Sequence, residues 1–243
     1  MTKVYPKISI VTVCFQANKL IEKTIESVIT QDYPNLEYII QDGGSTDGTI
    51  EIIKRYDNIH WISKKDLGVY DAMNQAVKRT SGDWILFMNA GDTFYNEKVI
   101  SSFFMRQISE SCCVLFGDTI SQNGAYSKVI RYNDMPWHKY MPSCHQSIFC
   151  KRDILLKFPF ELRWKIAADR AFFYNLYKMQ YTFTYIPIIV SVYDNTGGIS
   201  HDYLERTKEI LKIQNSYIVF ICKYALVYIK FFLRKVFRKQ QVN

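Results

Sequence analysis

The sequence predicts an α/β protein built on a doubly wound, mostly parallel sheet. Three observations lead there. Ile8-Ser-Ile-Val-Thr-Val-Cys-Phe15 is a near-continuous β-branched run, the composition of a parallel strand covered on both faces. Strand and helix patterns then alternate through residue 95, as crossover units require. Two predicted strands end in acidic, glycine-bearing turns, at Asp42 and Asp92, and such carboxyl ends are where open α/β sheets bind ligands.

The elements follow in order. Residues 18–31 repeat apolar positions at Leu20, Ile21, Ile25, Val28 and Ile29, a helical period. Asp32-Tyr-Pro-Asn35 reads as a turn before a strand that runs to Asp42. Gly43 and Gly44 permit the tight turn there, and Thr46 or Asp47 can cap the helix that covers Ile50–Tyr56. His60–Ser63 is a short strand, and Val69–Arg79 a helix with Ala72, Met73, Ala76 and Val77 as its stripe. Asp83–Met88 is the next strand, entering Asn89-Ala-Gly-Asp92. Beyond about residue 110 the pattern loosens into a strand at Cys112–Thr119, a hairpin turn at Asn123-Gly124 and a return over Ala125–Tyr132. Met135–His145 is a loop rich in Pro, Trp and His; Ala168–Met179 reads as a helix and Tyr181–Val192 as a strand interrupted at Pro187.

Charge is unevenly placed. The chain of 243 residues carries a net charge of +8, yet its last acidic residue is Glu209 and seven cations follow, from Lys212 to Lys239. Without those seven, 24 basic residues face 23 acidic ones, so the body gives no basis for nucleic-acid binding. In Tyr217–Lys239, Lys223, Lys230, Arg234 and Arg238 form one helical stripe beside a wide aliphatic and aromatic face. That pattern predicts a basic amphipathic helix over 213–243 lying on an anionic membrane surface. The six cysteines form no CxxC pair, which predicts free thiols and a cytoplasmic setting. The first residues lack an apolar segment of signal-peptide type.

Asp42, Asp92 and the intervening Asp66-Leu-Gly-Val-Tyr-Asp71 would face one crevice. Carboxylates around glycine turns suit hydrogen bonds to a base and ribose and a divalent cation held by oxygen ligands. No G-x-x-x-x-G-K-[ST] stretch is present, nor a G-x-G-x-x-G after the first strand, which disfavours P-loop enzymes and ordinary dinucleotide-binding folds.

Over residues 6–200 the chain resembles family 2 glycosyltransferases of the GT-A (nucleotide-diphospho-sugar transferase) fold, and among them bacterial enzymes of polysaccharide assembly, a group that includes colanic-acid-type transferases. The stretches that carry the resemblance are Ile8–Phe15, Ser27–Pro34, Asp42–Thr49, Asp66–Asn74, Gly82–Asp92, His145–Phe149 and Gly197–Ser200. It implies a transferase domain over 1–212, with a nucleotide-sugar half (1–93) and an acceptor half (94–212), at the inner face of the cell membrane. Asp42 and Gly43, beside Thr12, Val13 and Cys14, would hold the base and ribose of a nucleotide-sugar, UDP-linked by first choice. Asp71 and Asn74 would line the donor pocket. Asn89, Ala90 and Gly91 would border the diphosphate, and Asp92 would hold Mg²⁺ or Mn²⁺. Asn89 departs from the family pattern, since an aspartate is common there. Asp169, in Lys165-Ile-Ala-Ala-Asp-Arg-Ala171, would be the base that deprotonates a glycan or lipid-linked acceptor during an inverting displacement.

His145, Gln146 and Trp164 are expected to line the acceptor side, and His201 is a conceivable diphosphate or metal ligand. Two rival readings share the fold class: a non-catalytic subunit that scaffolds a membrane-bound glycan assembly complex, and a nucleotidyltransferase. The latter would bring a basic glycine-rich phosphate loop, absent here.

Overall fold

The computed structural model describes residues 5–133, 141–196 and 202–214. Trp137, His138 and Tyr140, the Gly197–His201 turn, Cys222 and the tail beyond residue 214 lie outside the described residues. The chain divides into two units, Met1–Gly198 and Ile199–Asn243. In the second, one helix runs over Tyr203–Ile213, capped by the Asp202 side chain accepting from the Glu205 amide at 3.0 Å.

The first unit opens with strand β1 (Ile8–Cys14), helix α1 (Ile21–Ile29), β2 (Leu36–Asp42), α2 (Thr49–Ile53), β3 (His60–Ser63), α3 (Val69–Val77) and β4 (Trp84–Phe87). It continues with β5 (Thr93–Phe94), α4 (Val99–Phe104), β6 (Cys112–Asn123), β7 (Tyr126–Ile130), a 3₁₀ turn at His145–Ser147, β8 (Ile148–Lys151), α5 (Arg152–Lys157), α6 (Ala168–Lys178) and β9 (Thr182–Asp194). These strands form one mixed sheet in the order β3-β2-β1-β4-β8-β6-β9-β5, with β7 paired to β6. β1 to β4 are mutually parallel where they pair, β8 runs antiparallel to β4 and β6, and β6 and β9 are parallel.

All seven residues of β1 are buried, because alternate side chains enter two separate apolar layers. Ile8, Ile10 and Cys14 join the layer that also holds Ile21, Ile25 and Val28 of α1. Val11 and Val13 join the layer of Tyr70, Met73, Ala76 and Val77 from α3. Helices on both faces are what makes a continuous apolar run stable as a strand. Each fully buried Met73 or Ile25 contributes about 1.5–3 kcal/mol.

Several expectations are corrected. The helix after β1 begins at Ile21, and Leu20 and Ile29 stay 41% and 46% exposed, outside its buried stripe of Ile21, Thr24, Ile25 and Val28. β9 is not broken at Pro187. Its pairing with β6 steps from Phe116↔Tyr185 to Asp118↔Ile189, so the proline sits in an irregular stretch where no ladder donor is missed. α4, β8 and α5 have no counterpart in the sequence reading: they lie beyond residue 95, where the strand–helix alternation that located the equally short β3 and α2 ends.

Candidate active site

The register Cys14↔Asp42↔Ser63 sets the ends of β1, β2 and β3 side by side. Asp42 is fully buried there. Its Oδ2 accepts from the amides of Gly44 (2.9 Å) and Ser45 (2.8 Å) and from the Ser63 hydroxyl (2.6 Å), while Oδ1 accepts from the Ser45 hydroxyl. Burial opposes ionisation, but these donors together hold the carboxyl below its ordinary range. The carboxylate therefore shapes the β2–α2 turn. Gly43 packs so closely that an added Cβ would lie 2.8 Å from Asp66 Oδ2 and 3.3 Å from the Phe15 ring. The Phe15 side chain, directly after the buried β1, is 63% exposed, an apolar face at the lip of this turn. Burial, ahead of the repulsion from Asp71 and Asp42, raises the Asp66 carboxyl. Asp71, in the first turn of α3, accepts from the Leu67 amide (3.0 Å) and Gln75 Nε2 (2.9 Å).

The end of β4 carries the second acidic turn. Gly91 adopts φ +102°, which favours glycine, and Thr24 of α1 pins the turn by accepting from the Gly91 amide (2.9 Å) and donating to the Asp92 carbonyl (2.8 Å). Asp92 is buried. Its Oδ1 accepts from the Asp194 amide (2.9 Å) and its Oδ2 from Gln146 Nε2 (2.6 Å). Burial outweighs both bonds, and its carboxyl is pushed up to about 6. The neighbouring residue of Gln146 faces the other way: His145 Nε2 lies 2.9 Å from Asn89 Nδ2, and Nδ1 lies 3.0 Å from Asp169 Oδ2. Asp169 is also buried, and its Oδ1 accepts from the Tyr70 hydroxyl (3.0 Å) and the Arg170 amide (2.7 Å). Despite burial, His145 and these donors keep Asp169 below the usual carboxylate range. The short 3₁₀ turn thus ties both acidic centres together, Gln146 to Asp92 and His145 to Asp169.

A model of glycosyl transferase family 2 matches residues 9–177. The chain belongs to this family. Among its relatives, a PGL/p-HBAD biosynthesis glycosyltransferase of Mycobacterium bovis is 28% identical over 218 residues, covering 85% of this chain and 83% of the relative. TuaG of Bacillus subtilis, named for teichuronic acid biosynthesis, is 34% identical over 104 residues, 41% of each chain. Among solved structures, S. aureus TarS in complex with UDP superposes with a TM-score of 0.63 at 18% identity, over 77% of this chain and 60% of TarS 1–349. The mannosyltransferase PcManGT from Pyrobaculum calidifontis, in complex with GDP-Man and Mn²⁺, gives 0.70 at 17% identity, over 88% of this chain and 65% of that one. The fold is GT-A, and the protein is a glycosyltransferase.

Within this family 2 transferase the residues singled out from sequence divide into groups. Asn89, Asp92, His145, Gln146 and Asp169 form one connected network. Asp42, Gly43 and Cys14 meet at the β2 end, where Cys14 Sγ–H approaches Asp42 Oδ1 at 3.5 Å. Thr12 and Val13 turn their side chains into the core, Thr12 donating to the Met88 carbonyl at 2.7 Å, and their backbone is paired in the sheet, the Val13 carbonyl accepting from the Ala90 amide at 3.4 Å. Asn74 does not reach the network; its amide donates to the Phe160 carbonyl and accepts from the Phe160 amide, both at 2.9 Å, clamping α3 to the segment before α6. Trp164 is half-buried under the Arg163 guanidinium (4.9 Å), and its Nε1–H is buried without a partner among the described residues. Tyr70, Thr24 and the side chain of Phe15 escaped the sequence reading. The only sequence signal was for Phe15, an aromatic side chain just past a buried strand.

Among the described residues no three His, Cys, Asp or Glu side chains converge on a cation. The side-chain oxygens at the β4 turn are the Asp92 carboxylate and Asn89 Oδ1, the latter buried with no partner among the described residues. Such a sparse oxygen set fits Mg²⁺ or Mn²⁺ that takes most of its ligands from water and phosphate.

Proposed function

We propose that this glycosyltransferase moves a sugar from a UDP-linked donor, with inversion at the anomeric carbon, to a glycan or lipid-linked acceptor of cell-surface polysaccharide. The observation that carries this reading is the hydrogen-bonded line from the Asn89–Asp92 turn through His145 to Asp169, because it joins a phosphate-side turn to a buried ionised carboxylate. In this scheme Phe15 and the turn after Asp42 border the nucleoside, and Asp71 lies beside the ribose or sugar. Asp92, with Asn89 Oδ1, would hold the divalent cation, which when bound neutralises charge on the departing diphosphate. Asp169 takes the proton of the acceptor hydroxyl as that oxygen attacks, and Tyr70 and His145 keep its plane fixed. Teichuronic acid and PGL/p-HBAD synthesis in the relatives' names support an envelope glycan as product.

The deciding experiment is a calorimetric UDP titration with and without Mn²⁺, on wild type and Asp92→Ala. Metal-dependent binding that disappears in the variant is the expected result. If wild type binds no UDP under either condition, the donor is not uridine-linked or the scaffold reading stands.

The acceptor would meet the enzyme at the inner membrane face, with residues 213–243 as the attachment. No helix among the described residues is long and apolar enough to cross a membrane. Removal of residues 214–243 should shift the protein from the membrane fraction to the soluble one, and an unchanged distribution would refute this attachment.

A further inference from the structure

We infer that the free sheet edge at β3 docks a second copy of this chain, the two β3 strands pairing antiparallel about a two-fold axis. β3 (His60–Ser63) is the last strand on its side of the sheet, and among the described residues no strand pairs with its outer edge. Its outward N–H and C=O groups form an unfilled ladder, a template for another strand. The face beside this edge is incompletely covered. The register Ile39↔His60 and Gln41↔Ile62 puts His60 and Ile62 on the side that carries α3, yet α3 packs over β1 and β2. Ile62 is left 42% exposed, and a groove of about 530 Å³ opens beside it, with Ile39, His60 and Arg79 in its lining.

Charge decides what fits this edge. Sheet edges are commonly guarded by cations that keep other strands away, and Lys64 and Lys65, directly after β3, are such a guard. The turn before β3 carries the opposite sign, in Asp57. Asp57 and Lys65 are both exposed, and neither stands in an ion pair among the described residues. Antiparallel pairing lays the start of one strand beside the end of its mate. A second copy so placed sets Asp57 of each chain against Lys65 of the other, and the two-fold axis makes the contact twice. Parallel pairing would set lysines beside lysines, and a strand with no acid ahead of it would leave them uncompensated.

The side chains agree with that register. Opposed residues of an antiparallel pair share a face, so a joint centred on Trp61 sets His60 opposite Ile62 and the two indoles opposite each other. The half-exposed Ile62 and Trp61 then gain cover, and the groove side of each sheet edge is extended by the mate.

Sedimentation velocity on the full chain, over about 1–100 µM, reads the association. Wild type is expected to show a monomer–dimer equilibrium in that range. Asp57→Lys and Lys65→Asp each set like charges face to face at both ends of the joint, and each should weaken the dimer at least about fivefold. The double variant Asp57→Lys/Lys65→Asp restores both pairs with their signs exchanged, and should return to within about twofold of wild type. Wild type that stays monomeric throughout would overturn the inference. So would equal association in all four proteins, the result of contact through residues away from β3, or a double variant as weak as the single ones. No nucleotide enters the measurement, so its outcome is independent of the donor reading.

Discussion

Asp169→Asn should lower kcat by about 10²–10⁴-fold while UDP affinity stays close to wild type, since this is the contribution of a positioned base. Asp169 touches neither the turn after Asp42 nor the turn at Asp92; its partners are His145, Tyr70 and the Arg170 amide. An asparagine keeps the volume and one acceptor oxygen but cannot take the acceptor's proton. The pair of measurements, single-turnover rate and UDP calorimetry, separates loss of the base from loss of the fold. Asp169→Glu extends the test, because it keeps the carboxylate and shifts it by one methylene; activity between wild type and Asp169→Asn is expected. Near-wild-type turnover in Asp169→Asn would remove this residue from the role. The direction of its titration adds a constraint. With its carboxyl below the usual range, Asp169 stays ionised throughout mildly acidic conditions, so an acid limb near pH 6 must come from elsewhere.

Asp92 carries the second large effect. Its carboxyl titrates at about 6 in the folded protein against an ordinary 3.8. The folded state therefore binds a proton that the unfolded chain has already released between these two values. Stability falls as pH rises across that window and is flat above it. The shift corresponds to about 3 kcal/mol held against the fold at pH 7. Asp92→Asn should relieve part of this and stabilise the metal-free protein at pH 7 by about 1–2 kcal/mol, less than the whole because the amide NH₂ must face the Asp194 amide or the Gln146 amide. At pH 4 the difference should vanish. Urea unfolding in chelator at both pH values measures it. Mn²⁺-dependent UDP binding should be lost in the same variant. A variant less stable than wild type at pH 7 would show that Asp92 is held by more than the two donors named. Gain in stability with loss of binding is the signature of a group kept charged in a buried place for function.

Much of residues 1–93 was legible because local signals and burial agree there. β1 reads as a buried strand since it is apolar on both faces, and His60–Ser63 and the Val69 start of α3 fall where the pattern places them. Asp42 was legible because a charge closing a buried strand stands out, and Asp92 because it closes the glycine-bearing turn that follows β4. Asn74 was not: it belongs to a recognisable stretch, but its amide is spent on Phe160, 86 residues away. α4 and β8 were illegible because they lie past residue 95, outside the regular strand–helix alternation that placed the equally short β3 and α2.

By itself the sequence determined the family, the two-layer covering of β1 to β4, and the identities of the acids at the strand ends. These depend on composition and short-range order, which every neighbour along the chain shares. Only the tertiary structure decided which polar atoms meet. Asp92 accepts from Gln146 and the Asp194 amide, and Asp169 is oriented by His145 and Tyr70, partners 24 to 102 residues distant. Hydrogen bonds reach about 3 Å, and sequence order carries no information about which side chains come that close once the chain has crossed the sheet.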